Sequence, residues 1–213
     1  MSAAAAASGA AFELALFPLQ SVLFPGGPLQ LKVFEARYLD LVGRCLRERS
    51  TFGVVCLRRG SEVRGAGAAR AQGVQFESIG VLVRLDEVDA EQAGILRVRG
   101  TGTQRFTIER PRQDADGLWR ADATLQADDG VLAPAPEALA AVKALASAIA
   151  ALREQGSEPI ATPYRFDDAG WVANRWCELL PISLAAKQRL MALPDAQLRL
   201  QLVAEYLRGK GVV

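Results

Sequence analysis

Leu16-Phe17-Pro18-Leu19-Gln20-Ser21-Val22-Leu23-Phe24-Pro25-Gly26-Gly27-Pro28-Leu29-Gln30-Leu31-Lys32-Val33-Phe34-Glu35-Ala36-Arg37-Tyr38 carries the densest structural signal in this chain. Its opening continues Phe12–Phe17, an apolar run that predicts a short strand ending at Pro18. Pro25-Gly26-Gly27-Pro28 is a turn cluster, because proline fixes φ and glycine reaches conformations other residues avoid. Beyond it Leu29, Leu31 and Val33 alternate with Gln30 and Lys32, the period of a half-buried strand. The period then lengthens: Tyr38, Leu41, Val42, Cys45 and Leu46 recur at helical spacing.

Further along, Phe52–Leu57 is apolar on both parities and reads as a central strand. Ser61–Gly73 has no periodicity and three glycines, and predicts a flexible loop. Ile79, Val81, Val83 and Leu85 share one parity, and Leu96, Val98, Phe106 and Ile108 share another. Gly100 and Gly102 interrupt the second run on its inward side, which predicts a bend or bulge. Trp119, Ala121, Ala123 and Leu125 form a last strand after the Asp116-Gly117 turn. About six short strands and one helix in this span describe a small, closed or nearly closed β-domain.

The pattern changes after Asp128-Asp129-Gly130. Leu139, Val142, Leu145, Ile149 and Leu152 mark one helical face, and Trp171, Trp176, Leu179 and Leu180 a second helix stopped before Pro181. Ser183 and Asp195 are expected to cap two further helices, one through Met191 and one carrying Leu198, Leu202 and Leu207. The expected organisation is a disordered N-terminus over 1–11, a β-domain over 12–130 and a helical domain over 131–213.

The 213 residues are 50% hydrophobic and 23% charged, the composition of a folded globular chain. Histidine is absent, which excludes Ser-His-Asp and Cys-His catalysis, histidine metal sites and histidine pH switches. Charge is balanced, 25 basic against 24 acidic residues, without the strong bias of a dedicated nucleic-acid module. A local exception runs from Arg44 to Arg70, where seven arginines face only Glu48 and Glu62. The three cysteines, Cys45, Cys56 and Cys177, sit among apolar neighbours and read as buried small hydrophobes in a reducing, cytoplasmic setting. No window is long and apolar enough to predict a membrane span.

Candidate chemistry is sparse. Gly65-Ala66-Gly67 and Gly100-Thr101-Gly102 begin like phosphate loops, but arginine stands where the third glycine is needed. Ser183 and Lys187 are better read as a helix cap and a solvated lysine than as a dyad. Asp86, Glu87, Asp89 and Glu91 read as the acidic lining of a turn. Trp171 and Trp176 read as core. No catalytic, cofactor-binding or metal-ligating residue is therefore assigned, and no cofactor is expected.

Leu16–Tyr38, with Phe52-Gly53-Val54-Val55, Ile79-Gly80-Val81 and Gly102-Thr103-Gln104-Arg105-Phe106, closely resembles the Lon protease N-terminal domain. Leu118–Leu125 and Gln188–Leu202 extend the likeness over residues 12–207, with Ala36 where the family often carries proline. The resemblance implies an α+β fold, a PUA-like β pseudo-barrel followed by an α-helical bundle. It further implies a non-enzymatic, stand-alone substrate-binding module without the family's ATPase and peptidase domains. The partners so implied are unfolded or exposed protein segments and a separate protease. RNA is the alternative partner, from the arginines and the PUA-like analogy. Of the family-motif residues, Pro18, Pro25, Glu35, Arg37, Tyr38, Arg105 and Phe106 are expected to be scaffold. Pro18 and Pro25 would fix turns, and Arg37 or Arg105 would meet a carboxylate across the barrel. The expected ligand surface is an exposed apolar groove between barrel and bundle, or the glycine-rich loop near Arg58, Arg59 and Arg64.

Overall fold

The computed structural model describes residues 9–59, 74–157 and 159–213. The loop expected at Ser61–Gly73 and most of the N-terminus expected to be disordered lie outside the described residues. The chain divides into two compact units, one running to Pro25 and from Leu29 to Asp128, the other comprising Gly26–Pro28 and Asp129–Val213.

The first unit contains β1 (Phe12–Leu19), β2 (Pro28–Val33), α1 (Ala36–Glu48), β3 (Phe52–Arg59), β4 (Gln75–Phe76), β5 (Ile79–Gln92), β6 (Ile95–Gln113) and β7 (Trp119–Leu125). The strands follow the order β1-β7-β6-β5-β3-β4, and a further pairing of β1 with β3 closes the first five into a ring. That pairing is parallel and the others in the ring are antiparallel. One face of the ring is filled by Leu14, Leu16, Val55, Leu82, Phe106, Ile108, Ala121 and Ala123. On the opposite parity, the Phe17 ring stacks on Tyr38 of α1 at 4.0 Å and meets Phe52 at 6.0 Å. Burial on both faces explains why β3 reads without alternation.

Several expectations are corrected. Pro18 does not end β1: the strand continues to Leu19, with Pro18 beside Val55 in the parallel pairing. There are seven strands among the described residues, and two of them are long. Asp86, Glu87, Asp89 and Glu91 lie on β5, where Glu87 and Asp89 stand opposite Arg99 and Arg97 of β6. Glu87 pairs with Arg99 at 2.9 Å, and the true turn follows at Gly94 (φ +79°). The expected irregularity near Gly100 and Gly102 is present as register shifts between Val81 and Val83 and between Leu85 and Glu87.

The second unit holds a 3-10 turn (Pro136–Ala138), α2 (Leu139–Glu154), α3 (Ala169–Leu179), α4 (Leu184–Ala192) and α5 (Ala196–Gly209). Ser183 and Asp195 cap as expected, accepting from Ala186 N at 3.2 Å and Leu198 N at 3.0 Å. Asp168 caps α3 through Gly170 N at 3.0 Å. The buried stripe of α2 is Ala141, Leu145 and Ile149, while Leu139 at its first turn is exposed. Trp171 and Trp176 are core, and the Trp176 indole donates to Ala141 O at 2.9 Å. Arg199, wholly buried, donates to Asp129 at 2.7 Å, Asn174 at 3.1 Å and Leu190 O at 3.0 Å.

A Cβ added at Gly80 would stand 2.4 Å from Val54 O and 2.6 Å from Phe106 Cζ. Gly80→Ala is therefore expected to cost about 1–3 kcal/mol of stability by overpacking. Gly130→Ala, where a Cβ meets nothing within 4 Å, is expected to stay within about 0.5 kcal/mol of the parent. Urea denaturation midpoints check both, and equal midpoints for the two variants would contradict the packing described.

Candidate functional site

Glu35 ends the extended segment after β2 and occupies the N-cap of α1, its carbonyl accepting from Tyr38 N at 2.9 Å and Leu39 N at 3.0 Å. Its carboxylate makes no cap bond and instead pairs with Arg37 at 2.9 Å. Arg37 is buried, lies 4.5 Å from the centre of the Tyr38 ring and donates to Gly117 O at 2.8 Å. For Arg37 the carboxylate partner is thus two residues away and not across the barrel, and its far contact is a carbonyl.

This arrangement fixes one wall of a hollow of about 190 Å³ lined by Phe17, Leu19, Gln30, Leu31, Lys32, Val33, Phe34, Glu35 and Tyr38. Gln30 through Glu35 line it consecutively, so both parities of the segment face it and the hollow sees β2 side-on. The described pairing of β2 is with β6. Phe34 is 52% exposed although it follows directly on buried Val33, so a large apolar ring is left facing outward. Gln30, Leu31 and Lys32 also line an adjoining hollow of about 410 Å³ with Glu91, Arg97 and Arg99. The two hollows therefore form one strip along β2, aromatic at one end and cationic at the other.

The other family-motif residues lie in strands and at a turn. Pro25 precedes Gly26, whose φ of +73° suits a turn of the proline–glycine kind. Arg105 and Phe106 are buried on β6, the Arg105 carbonyl accepting from Gln126 N at 2.9 Å. Of the expected arginine surface, Arg58 is exposed and pairs with Glu77 at 3.5 Å. The Arg59 side chain and Arg64 lie outside what is described. The aromatic hollow escapes a reading of the sequence, yet it leaves one signal there. Phe34 is apolar on the parity otherwise held by Gln30 and Lys32.

Burial pushes the Cys56 thiol up to about 11 and the Cys177 thiol up to about 12, and raises Cys45 as well, which makes all three inert. Hydrogen bonds raise two arginines at the β6–β7 hairpin, Arg112 by Asp122 and Glu13, and Arg120 by Asp114. In the second unit burial lowers Arg175 and lifts the Glu178 carboxyl to about 7, against the pull of Arg175 and Lys187. Among the described residues no cluster of His, Cys, Asp or Glu is placed to hold a metal, and no helix is long and apolar enough to cross a membrane.

The first unit is thus a ring of mostly antiparallel strands with a strip along β2 that is aromatic at one end and charged at the other. The family model for the ATP-dependent protease La (LON) substrate-binding domain matches residues 13–209, and the chain belongs to that family. Its structure is similar to the Lon N-terminal domain protein from Xanthomonas campestris. The TM-score is 0.68 at 31% identity, covering 92% of this chain and 98% of the other. It shares its fold with the N-terminal domain of the Mycobacterium avium complex Lon protease, with TM-score 0.58, 14% identity and the same coverages. No curated protein sequence matches.

The two faces of α1's entry should respond differently to truncation. Phe34→Ala removes a half-exposed ring and is expected to change stability by less than about 1 kcal/mol. Arg37→Ala strips Glu35 and Gly117 O of a buried donor and is expected to cost about 3–5 kcal/mol; comparable thermal midpoints for the two variants would contradict this. For Glu178, the folded carboxyl keeps its proton to about pH 7, whereas the unfolded one releases it near about 4.3. The stability it contributes is full below that lower value and is lost as pH rises through about 7. Parent protein should therefore lose more stability than Glu178→Gln between about pH 5 and pH 7.5, and parallel urea midpoints across that range would refute the assignment.

Proposed function

We propose that this chain is a non-enzymatic module that holds unfolded or exposed segments of other proteins, with the strip along β2 as its contact surface. The observation that carries the reading is Phe34, 52% exposed beside the Phe17–Tyr38 stack at the side of a strand whose described pairing is with β6. Membership of the substrate-binding domain family supports it. So does the likeness to the Xanthomonas campestris protein, itself a Lon N-terminal domain protein. An extended segment laid beside β2 would gain backbone hydrogen bonds from the strand and bury one side chain in the hollow. In this reading the chain binds and presents, and a protease acting on the held segment cuts it. Three buried, free thiols support a reducing, cytoplasmic setting.

The test is calorimetric titration with a permanently unfolded protein, such as one reduced and carboxymethylated. Micromolar or weaker binding is expected, weakened about tenfold by Phe34→Ala, as for an aromatic anchor at an interface centre. Absence of binding up to millimolar concentration removes the reading.

A further inference from the structure

The cationic end of the strip carries a preference that the aromatic hollow alone does not. Among the six residues lining it, Lys32, Arg97 and Arg99 are basic and Glu91 alone is acidic. Glu91 is divided between two of them, 3.2 Å from the Lys32 ammonium and 3.7 Å from the Arg97 guanidinium. Arg99 leans on Glu87 at 2.9 Å, in a pair about half exposed on both sides. The three cations are each more than half exposed, so their charge reaches solvent at the rim. Arg97 and Arg99 stand two apart on β6, on one face of the strand. Residues two apart on any extended chain are separated by about 6–7 Å. A segment lying along β2 with carboxylates at alternate positions therefore matches the arginine spacing.

Resting on the reading of this strip as the contact surface, the geometry points to a specific class of segment. It is an extended peptide with one large apolar side chain and, a few residues away, two acidic residues at alternate positions. The apolar side chain enters the hollow of Phe17, Phe34 and Tyr38, and the acidic pair meets Arg97 and Arg99. Both hollows share Gln30, Leu31 and Lys32, which sets the anchor and the first carboxylate about two to four residues apart along an extended chain. Lys32 lies between them and keeps Glu91 as its partner when an incoming carboxylate takes over Arg97.

The experiment is fluorescence anisotropy of three labelled peptides on the whole chain. All carry the same aromatic anchor, and the alternate positions are glutamate, serine or lysine. At low salt the glutamate peptide is expected to bind about tenfold tighter than the lysine peptide, with serine between, since two exposed pairs change from attraction to repulsion. The spread should narrow at about 0.5 M salt. Arg97→Glu/Arg99→Glu, folded by circular dichroism, should reverse the order, whereas Phe34→Ala should weaken all three alike. Equal affinities, or an order unchanged by the charge reversal, overturn the inference while leaving the binding reading intact. So does an unfolded protein that binds when none of the peptides does. Failure of both peptides and unfolded protein removes that reading and this inference with it.

Discussion

The first unit is arranged around the Phe106 ring. It is fully buried, and it lies where a Cβ on Gly53 would come within 2.6 Å of it and a Cβ on Gly80 equally close. Two neighbouring strands therefore give up side chains at one level so that a third can supply one large ring. A ring of strands has little interior room, and the alternation of large and absent side chains fills it without voids. With that face occupied, the alternate residues Phe52 and Val54 of β3 turn to the opposite face, where Phe52 meets Phe17 and Phe17 stacks on Tyr38. The register that seats Phe106 thus also fixes the wall of the surface hollow.

Three buried arginines do what apolar packing cannot do for irregular backbone. Arg37 joins Glu35 to the carbonyl of Gly117, Arg175 joins the carbonyl of Gly26 to Glu178, and Arg199 gathers Asp129, Asn174 and the carbonyl of Leu190 near the end of α4. A buried guanidinium is costly to desolvate, and the cost is offset only when several acceptors meet its fork. Each arginine here meets a carboxyl group and at least one backbone carbonyl. Their role is to specify loop geometry, Arg37 within the first unit and Arg175 and Arg199 within the second.

Strand and helix identity are legible in the sequence because each rests on local period. The Leu29–Val33 alternation, the helical spacing from Tyr38 and the Ser183 and Asp195 caps are all short-range signals. What is not legible is long-range. Pro18 reads as a stop, but a parallel partner at Val55 lets β1 continue through it. The acidic run from Asp86 to Glu91 resembles a solvated turn until the arginines of β6 are placed opposite it. Arginines adjacent in sequence attract attention as a patch, whereas the strip along β2 is assembled from β1, β2, α1, β5 and β6, and only the misplaced parity of Phe34 announces it.

An exposed strand edge is ordinarily a hazard, since a second copy can pair with it, and proteins guard such edges with lysine and other charges. Lys32 stands on β2 in that guarding position, and Arg97 and Arg99 lie next to it. Yet the guard is incomplete, because Phe34 and the hollow beside it remain apolar and open at the strand's end. A surface selected only against aggregation would have replaced Phe34 with a polar residue at little cost to folding, given that half the ring is already in water. An aromatic there, beside charges that would repel an identical edge and attract an acidic one, would discriminate between self and client under the proposed function. The same residues that keep copies of this chain apart would then select the segments it holds.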